Sequence, residues 1–171
     1  GLDHPERVGF DYYAGGIQSA PANYYAWSKV VNGSDPVGST TYATTDVVDE
    51  SVAWLAERGD EPWFLWVAFN APHTPVQLPP KELLRSEKSL SLSPAGGPGA
   101  DEHAYFNAMI EAMDTEIGRL LDAIDDETLT NTYVMFLGDN GTTGSVAKAP
   151  FYQGNSKGSV YQGGVSVPFM V

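Results

Sequence analysis

The side chains best placed by type and neighbours to act on an anionic group are His73 in NAPHTP, Asp139 and Asn140 in FLGDNG, and Lys157 in GNSKGSVYQGG. Asp139 and Asn140 offer hard oxygen donors, one charged and one neutral, of the kind that calcium or magnesium takes, and Gly141 lets the chain turn away behind them. The same tripeptide is also a plain Asp-Asn-Gly turn, and taken alone that reading is the commoner one. His73 lies between Pro72 and Pro75, on a stiff turn that would fix where its imidazole points, as a proton donor or anion ligand requires. A solvated loop histidine is the competing reading. Lys157 has glycines on both sides, which keep the backbone open and let an anionic group approach a compact ammonium. An ordinary surface lysine is the alternative. All these signals suit an anionic ester.

The elements that must position them follow from periodicity. Asn32-Gly33 in VVNGSD suits a tight hairpin turn, because both residues tolerate positive φ. From Thr44 a helix of about three to four turns is expected. Thr44 or Thr45 would cap it, Val48, Val52 and Leu55 would share one face, and Gly59 would end it. PWFLWVAFN, residues 62–70, is apolar on both faces and reads as an interior parallel strand. Residues 71–100 form a Pro/Gly/Ser-rich excursion with one short helix at PPKELLRSE, too long for a plain connection inside a compact domain. Met109, Met113, Ile117, Leu120, Leu121 and Ile124 then recur at helical spacing from Glu102 to Asp126, with Asp101 as the cap. A second strand follows at residues 132–138. Helix, strand, helix, strand is an α/β order, and right-handed crossovers make the strands parallel. Ligands in such sheets sit outside the carboxyl ends of the strands, where His73 and Asp139-Asn140 fall.

Nine Lys+Arg against 22 Asp+Glu give a net charge of −13, which argues against a nucleic-acid partner, because phosphate backbones are held by clustered positive charge. The absence of cysteine excludes disulfides, zinc-thiolate sites and a thiol nucleophile. No apolar run approaches the roughly 18 residues needed to span a membrane. The chain opens at Gly1 and stops in the apolar run 165–171, and is read as an internal piece of a longer protein, residues 1–171 forming part of a single catalytic domain cut at both ends.

Together, GFDYYAGG, NYYAWSKVVNG, FLWVAFNAPHTP, MIEAMDTEIGRLLDAI, YVMFLGDNG and KGSVYQGGVSVP resemble the sulfatase family, of alkaline-phosphatase-like fold. The resemblance implies an α/β sandwich fragment with a mainly parallel sheet flanked by helices, and a sulfate ester as substrate. It implies that Asp139 and Asn140 ligate a divalent cation, usually calcium, and that His73 and Lys157 hold the ester oxygens. It further implies a periplasmic or secreted setting and a formylglycine nucleophile, made from the Cys or Ser that opens a C/S-x-P-x-R motif. That motif is absent from this chain: Ser19-Ala20-Pro21-Ala22-Asn23 carries asparagine where the arginine belongs, and is a chance match. Gln162 and Ser166 replace the Glu and Arg of the family's YEGGxRVP run. The rival readings are a phosphoesterase or phosphonate hydrolase of the same superfamily, and a non-catalytic binding or structural domain that kept the fold.

Overall fold

A computed structural model of the chain describes residues 1–17, 20–93, 99 and 101–171. The chain divides into two compact units, Gly1–Ile124 and Asp125–Val171.

In the first unit a short helix, α1 (His4–Arg7), precedes a three-stranded antiparallel sheet of β1 (Ala14–Gly15), β2 (Trp27–Val31) and β3 (Val37–Ser39). The hairpin forms as its turn residues dictate: Asn32 and Gly33 have φ of 45° and 68°, and the Ser34 N–H closes the turn on the Val31 carbonyl at 2.9 Å. The next helix, α2 (Ala43–Leu55), starts ahead of both expected caps: Tyr42 is the N-cap and makes no side-chain capping bond, and Thr44 and Thr45 lie inside the first turn, where the Thr45 hydroxyl donates to Glu116 Oε1 at 2.6 Å. Gly59 does adopt positive φ, 53°, but beyond the helix end, after Ala56.

The single helix expected at PPKELLRSE is instead a 3-10 turn, Lys81–Leu83, and a separate α3 (Glu87–Leu90). Leu84 is extended between them, and Glu111 accepts from the Arg85 N–H and, at 2.5 Å, the Ser86 N–H. Part of the 71–100 excursion, residues 94–98 and 100, lies outside the described residues. The long helix α4 (Glu102–Asp122) forms with the expected cap, the Asp101 side chain accepting from the Ala104 N–H at 3.0 Å, but it ends four residues before the expected Asp126, leaving Ile124 outside and Asp126 at the start of a separate helix. The core gathers Tyr24, Trp27, Tyr42, Ala43, Ala71, Val76, Tyr105 and Met109. A fully buried side chain such as Met109 contributes about 1.5–3 kcal/mol.

The parallel sheet is not found: every β pairing among the described residues is antiparallel. Residues 62–70 form no ladder, with Phe64 and Trp66 73% and 70% exposed. A strand exists only through a neighbouring strand that takes its N–H and C=O groups in a ladder, and no described strand pairs with these residues.

The second unit holds α5 (Asp126–Thr130), β4 (Phe136–Leu137), α6 (Gln162–Val165) and β5 (Phe169–Met170). β4 pairs antiparallel with β5, Phe136 opposite Met170. The expected strand 132–138 is thus shortened to the residues that find a partner.

Candidate functional site

The residues singled out from the sequence fall in both units. In the first, His73 is exposed, and its N–H closes a turn onto the Asn70 carbonyl at 2.9 Å. Its Nδ1 lies 2.7 Å from the Thr74 carbonyl oxygen. A carbonyl only accepts, so Nδ1 carries the proton and donates it. Nε2 is left as the nitrogen free to exchange a proton with a ligand. The Pro72 and Pro75 peptide bonds on either side are both cis.

The turn rests on residues the sequence reading did not single out. The buried Tyr24 hydroxyl lies 2.8 Å from the Asn70 carbonyl and 2.9 Å from that of His73. The Tyr25 hydroxyl donates to the Leu78 carbonyl at 2.6 Å. Burial pushes the Tyr25 hydroxyl up to about 12, with the Glu82 charge adding to the effect, and burial raises Tyr24 as well. Both therefore stay protonated as donors. Asn23, the last residue of the chance motif, accepts from the Tyr25 N–H at 2.8 Å; Ser19, which opens that motif, lies outside the described residues. The doubled tyrosine in NYYAW was the available signal.

In the second unit the other candidates are brought together. β4 delivers Gly138, whose N–H donates to the Pro168 carbonyl at 3.0 Å, and Asp139-Asn140 follow directly. The Gly141 N–H then donates to the Gly164 carbonyl at 3.0 Å, and the Lys157 N–H to the Thr142 carbonyl at 2.9 Å. Segment 138–142 is thereby laced to both the lysine loop and α6. Glycine makes this possible: a Cβ on Gly141 would stand 1.9 Å from the Gly163 carbonyl oxygen, and one on Gly164 2.1 Å from that of Ser159. The glycines near Lys157 were expected to open the backbone to a ligand. Gly163 and Gly164 do the reverse and let backbones touch, while Gly158, at φ +86 with nothing within 4 Å of its Cβ position, fits the open description.

Asp139 and Lys157 are exposed and Asn140 is half-buried. For a divalent cation the donor chemistry fits: a carboxylate and an amide oxygen on consecutive residues. The number of donors is small, since among the described residues no group of three or more His, Cys, Asp or Glu side chains converges, and calcium takes six to eight oxygens.

The sulfatase family model matches residues 3–171. The chain belongs to the sulfatase family. It is 30% identical to a sulfatase of Formosa agariphila over 82% of this chain and 27% of that protein. It is 26% identical to the uncharacterized sulfatase YdeN of Escherichia coli, over 98% of this chain and 29% of that one. The chain thus spans less than a third of these curated relatives. Among solved structures it is similar to Ps i-CgsB, with a TM-score of 0.72 and 28% identity over 97% of this chain and 40% of the other. That protein has also been solved in complex with k-i-k-neocarrahexaose, matched here with a TM-score of 0.71 and 27% identity. The sulfatase fold is shared although the sheet of this chain carries no parallel pair among the described residues.

Proposed function

We propose that the protein containing this chain hydrolyses a sulfate ester to an alcohol and inorganic sulfate, with residues 1–171 forming part of its single catalytic domain. The observation that carries this reading is the Lys157 N–H to Thr142 carbonyl bond, which sets the lysine loop alongside the Asp139-Asn140 segment in a chain of this family. Lys157 binds an ester oxygen through its ammonium and counters charge developing there. His73, with Nδ1–H held by Thr74, presents Nε2 to protonate the departing alcohol oxygen. Asp139 and Asn140 would hold a divalent cation, calcium by family resemblance, beside ligands from outside this chain. Such a cation, when bound, polarises the ester oxygens. The formylglycine nucleophile is assigned to the protein outside these residues.

The sulfated substrate is supported by the neighbour solved with a carrageenan oligosaccharide. We further assign residues 62–70 and 132–138 to a mainly parallel sheet flanked by helices, in an alkaline-phosphatase-like sandwich. The exposure of Phe64 and Trp66 in the first unit, at 73% and 70%, and separately of Tyr133 in the second, at 86%, supports partners covering each of these segments, since large apolar side chains left on a surface mark a face that packs against something.

The test is turnover by the full-length protein of nitrophenyl sulfate against nitrophenyl phosphate and a phosphonate monoester. Preference for the sulfate is expected, and preference for either phosphorus ester would overturn the reading.

A further inference from the structure

We infer that Tyr24 is the positioning residue that aims His73 at the leaving group, an inference that rests on the role given to His73 above. Tyr24 is 0% exposed, yet its hydroxyl reaches the turn carrying His73, lying 2.8 Å from the Asn70 carbonyl and 2.9 Å from the His73 carbonyl. A phenol has one proton to donate, so it is shared between these two acceptors at the ends of the turn. The His73 N–H meets the Asn70 carbonyl as well, at 2.9 Å. Both ends of the turn are therefore tied to one fixed oxygen.

That oxygen is fixed because Tyr24 itself is. Its N–H donates to Gln77 Oε1 at 2.6 Å, its ring packs on Tyr42 with centroids 5.7 Å apart, and both rings belong to the core cluster that includes Ala71, Val76 and Met109. Tyr25 ties the far end of the same segment at Leu78. The His73 side chain has no such support: it is exposed, and the Thr74 carbonyl is its hydrogen-bond partner. Thr74 sets the ring's tautomer while Tyr24 sets the backbone from which the ring projects. Freeing the turn should shift Nε2 rather than unfold the unit, because Phe at position 24 keeps the packed ring.

The experiment compares Tyr24→Phe, His73→Ala and the Tyr24→Phe/His73→Ala double variant in the full-length protein, on an alkyl sulfate and on nitrophenyl sulfate. Tyr24→Phe should lower kcat/KM on the alkyl sulfate about 10- to 100-fold, the size of effect that a misplacement near 1 Å produces. The loss on nitrophenyl sulfate should be much smaller, because an acidic leaving group needs little protonation. Added to His73→Ala, it should cost nothing more. Equal proportional losses on the two substrates, full additivity with His73→Ala, or an unchanged alkyl-sulfate rate would overturn the inference alone, provided His73→Ala is impaired. An active His73→Ala variant would overturn the role of His73 and this inference with it. If Tyr24→Phe does not fold, Gln77→Met, which frees the Tyr24 N–H, decides by the same leaving-group pattern.

Discussion

Thr45 of α2 donates its hydroxyl to Glu116 of α4 at 2.6 Å, and this bond joins the two longest helices of the first unit. Glu116 is 1% exposed, and its second oxygen accepts from Arg119 Nε at 2.6 Å. Arg119 in turn reaches Asp49 on α2 at 2.8 Å. Only the Glu116 end of this pair is buried, the Arg119 side chain being 41% exposed; removing the cation from a buried carboxylate that keeps one hydroxyl donor costs more than breaking an exposed pair, which is worth about 0–1 kcal/mol, and less than the roughly 3–5 kcal/mol of a fully buried pair. Arg119→Ala is therefore expected to lower stability by about 1–3 kcal/mol and Asp49→Ala by less than about 1 kcal/mol. Urea unfolding of the two variants checks the contrast, and equal losses would mean that Glu116 draws its compensation elsewhere.

The glycine seam of the second unit predicts a position-specific response. An alanine Cβ at Gly141 meets backbone at 1.9 Å, and backbone cannot rotate aside, so Gly141→Ala should cost about 3 kcal/mol, the upper range for overpacking. Gly154→Ala, with nothing within 4 Å and no positive φ, should be close to neutral. Thermal melts decide, and a neutral Gly141→Ala would show that the seam can separate.

Glu111 gives stability a pH dependence of known sign. Partial burial works to raise its carboxyl, but hydrogen bonds from Ser89, from the Ser86 and Arg85 N–H groups and from the Ser86 hydroxyl outweigh it and bring it down to about 2. Between about 2 and the ordinary value of 4.5, the unfolded chain binds the proton that the folded one does not, so stability rises with pH there. The stabilisation is fully present above 4.5 and lost as pH falls toward 2. The stability gap between wild type and Glu111→Gln should accordingly be constant from pH 7 to 5 and shrink steadily below that, as read by denaturant titrations at each pH.

Calcium binding by this chain should be weak, with a Kd no tighter than about 1 mM, because Asp139 and Asn140 supply few of the six to eight oxygens required and a single charge. Titration calorimetry measures this. Micromolar binding abolished by Asp139→Ala would show that the ligand set is complete within these residues.

What could be read in advance was what is decided locally. α4 was legible because its apolar spacing and the Asp101 cap lie within its own stretch, and the hairpin because Asn32-Gly33 suit positive φ with no help from elsewhere. The PPKELLRSE helix was misread because Glu111, distant in sequence, takes the Arg85 and Ser86 N–H groups and restarts the chain at Ser86. Residues 62–70 have the composition of an interior strand, but composition does not supply the neighbours that would pair with it. The candidate side chains were visible as types at element ends. The backbone bond joining the Lys157 loop to Thr142 and the Tyr24 hydroxyl beneath His73 were not, since both are long-range contacts that leave only a glycine pair and a doubled tyrosine in the sequence.

Lys157 should matter far more to turnover than to stability. Its side chain is exposed, and the bond that anchors its loop is made by its backbone N–H to Thr142, which alanine retains. Truncation therefore opens no cavity and breaks no lacing, and Lys157→Ala should change stability by about 0.5 kcal/mol or less. The rate is another matter. As the ester bond breaks, charge gathers on the oxygens around sulfur, and a positioned donor facing that charge is worth about 3–4 kcal/mol, or roughly a hundredfold or more. Because the ammonium acts on the transferring group rather than on the departing alcohol, the loss should be of similar size for an alkyl sulfate and for nitrophenyl sulfate. The measurement is kcat/KM of full-length Lys157→Ala on both esters beside its thermal melt. A folded variant that turns over both substrates at the wild-type rate would remove Lys157 from the ester site, and a loss confined to the alkyl sulfate would move it to the leaving oxygen.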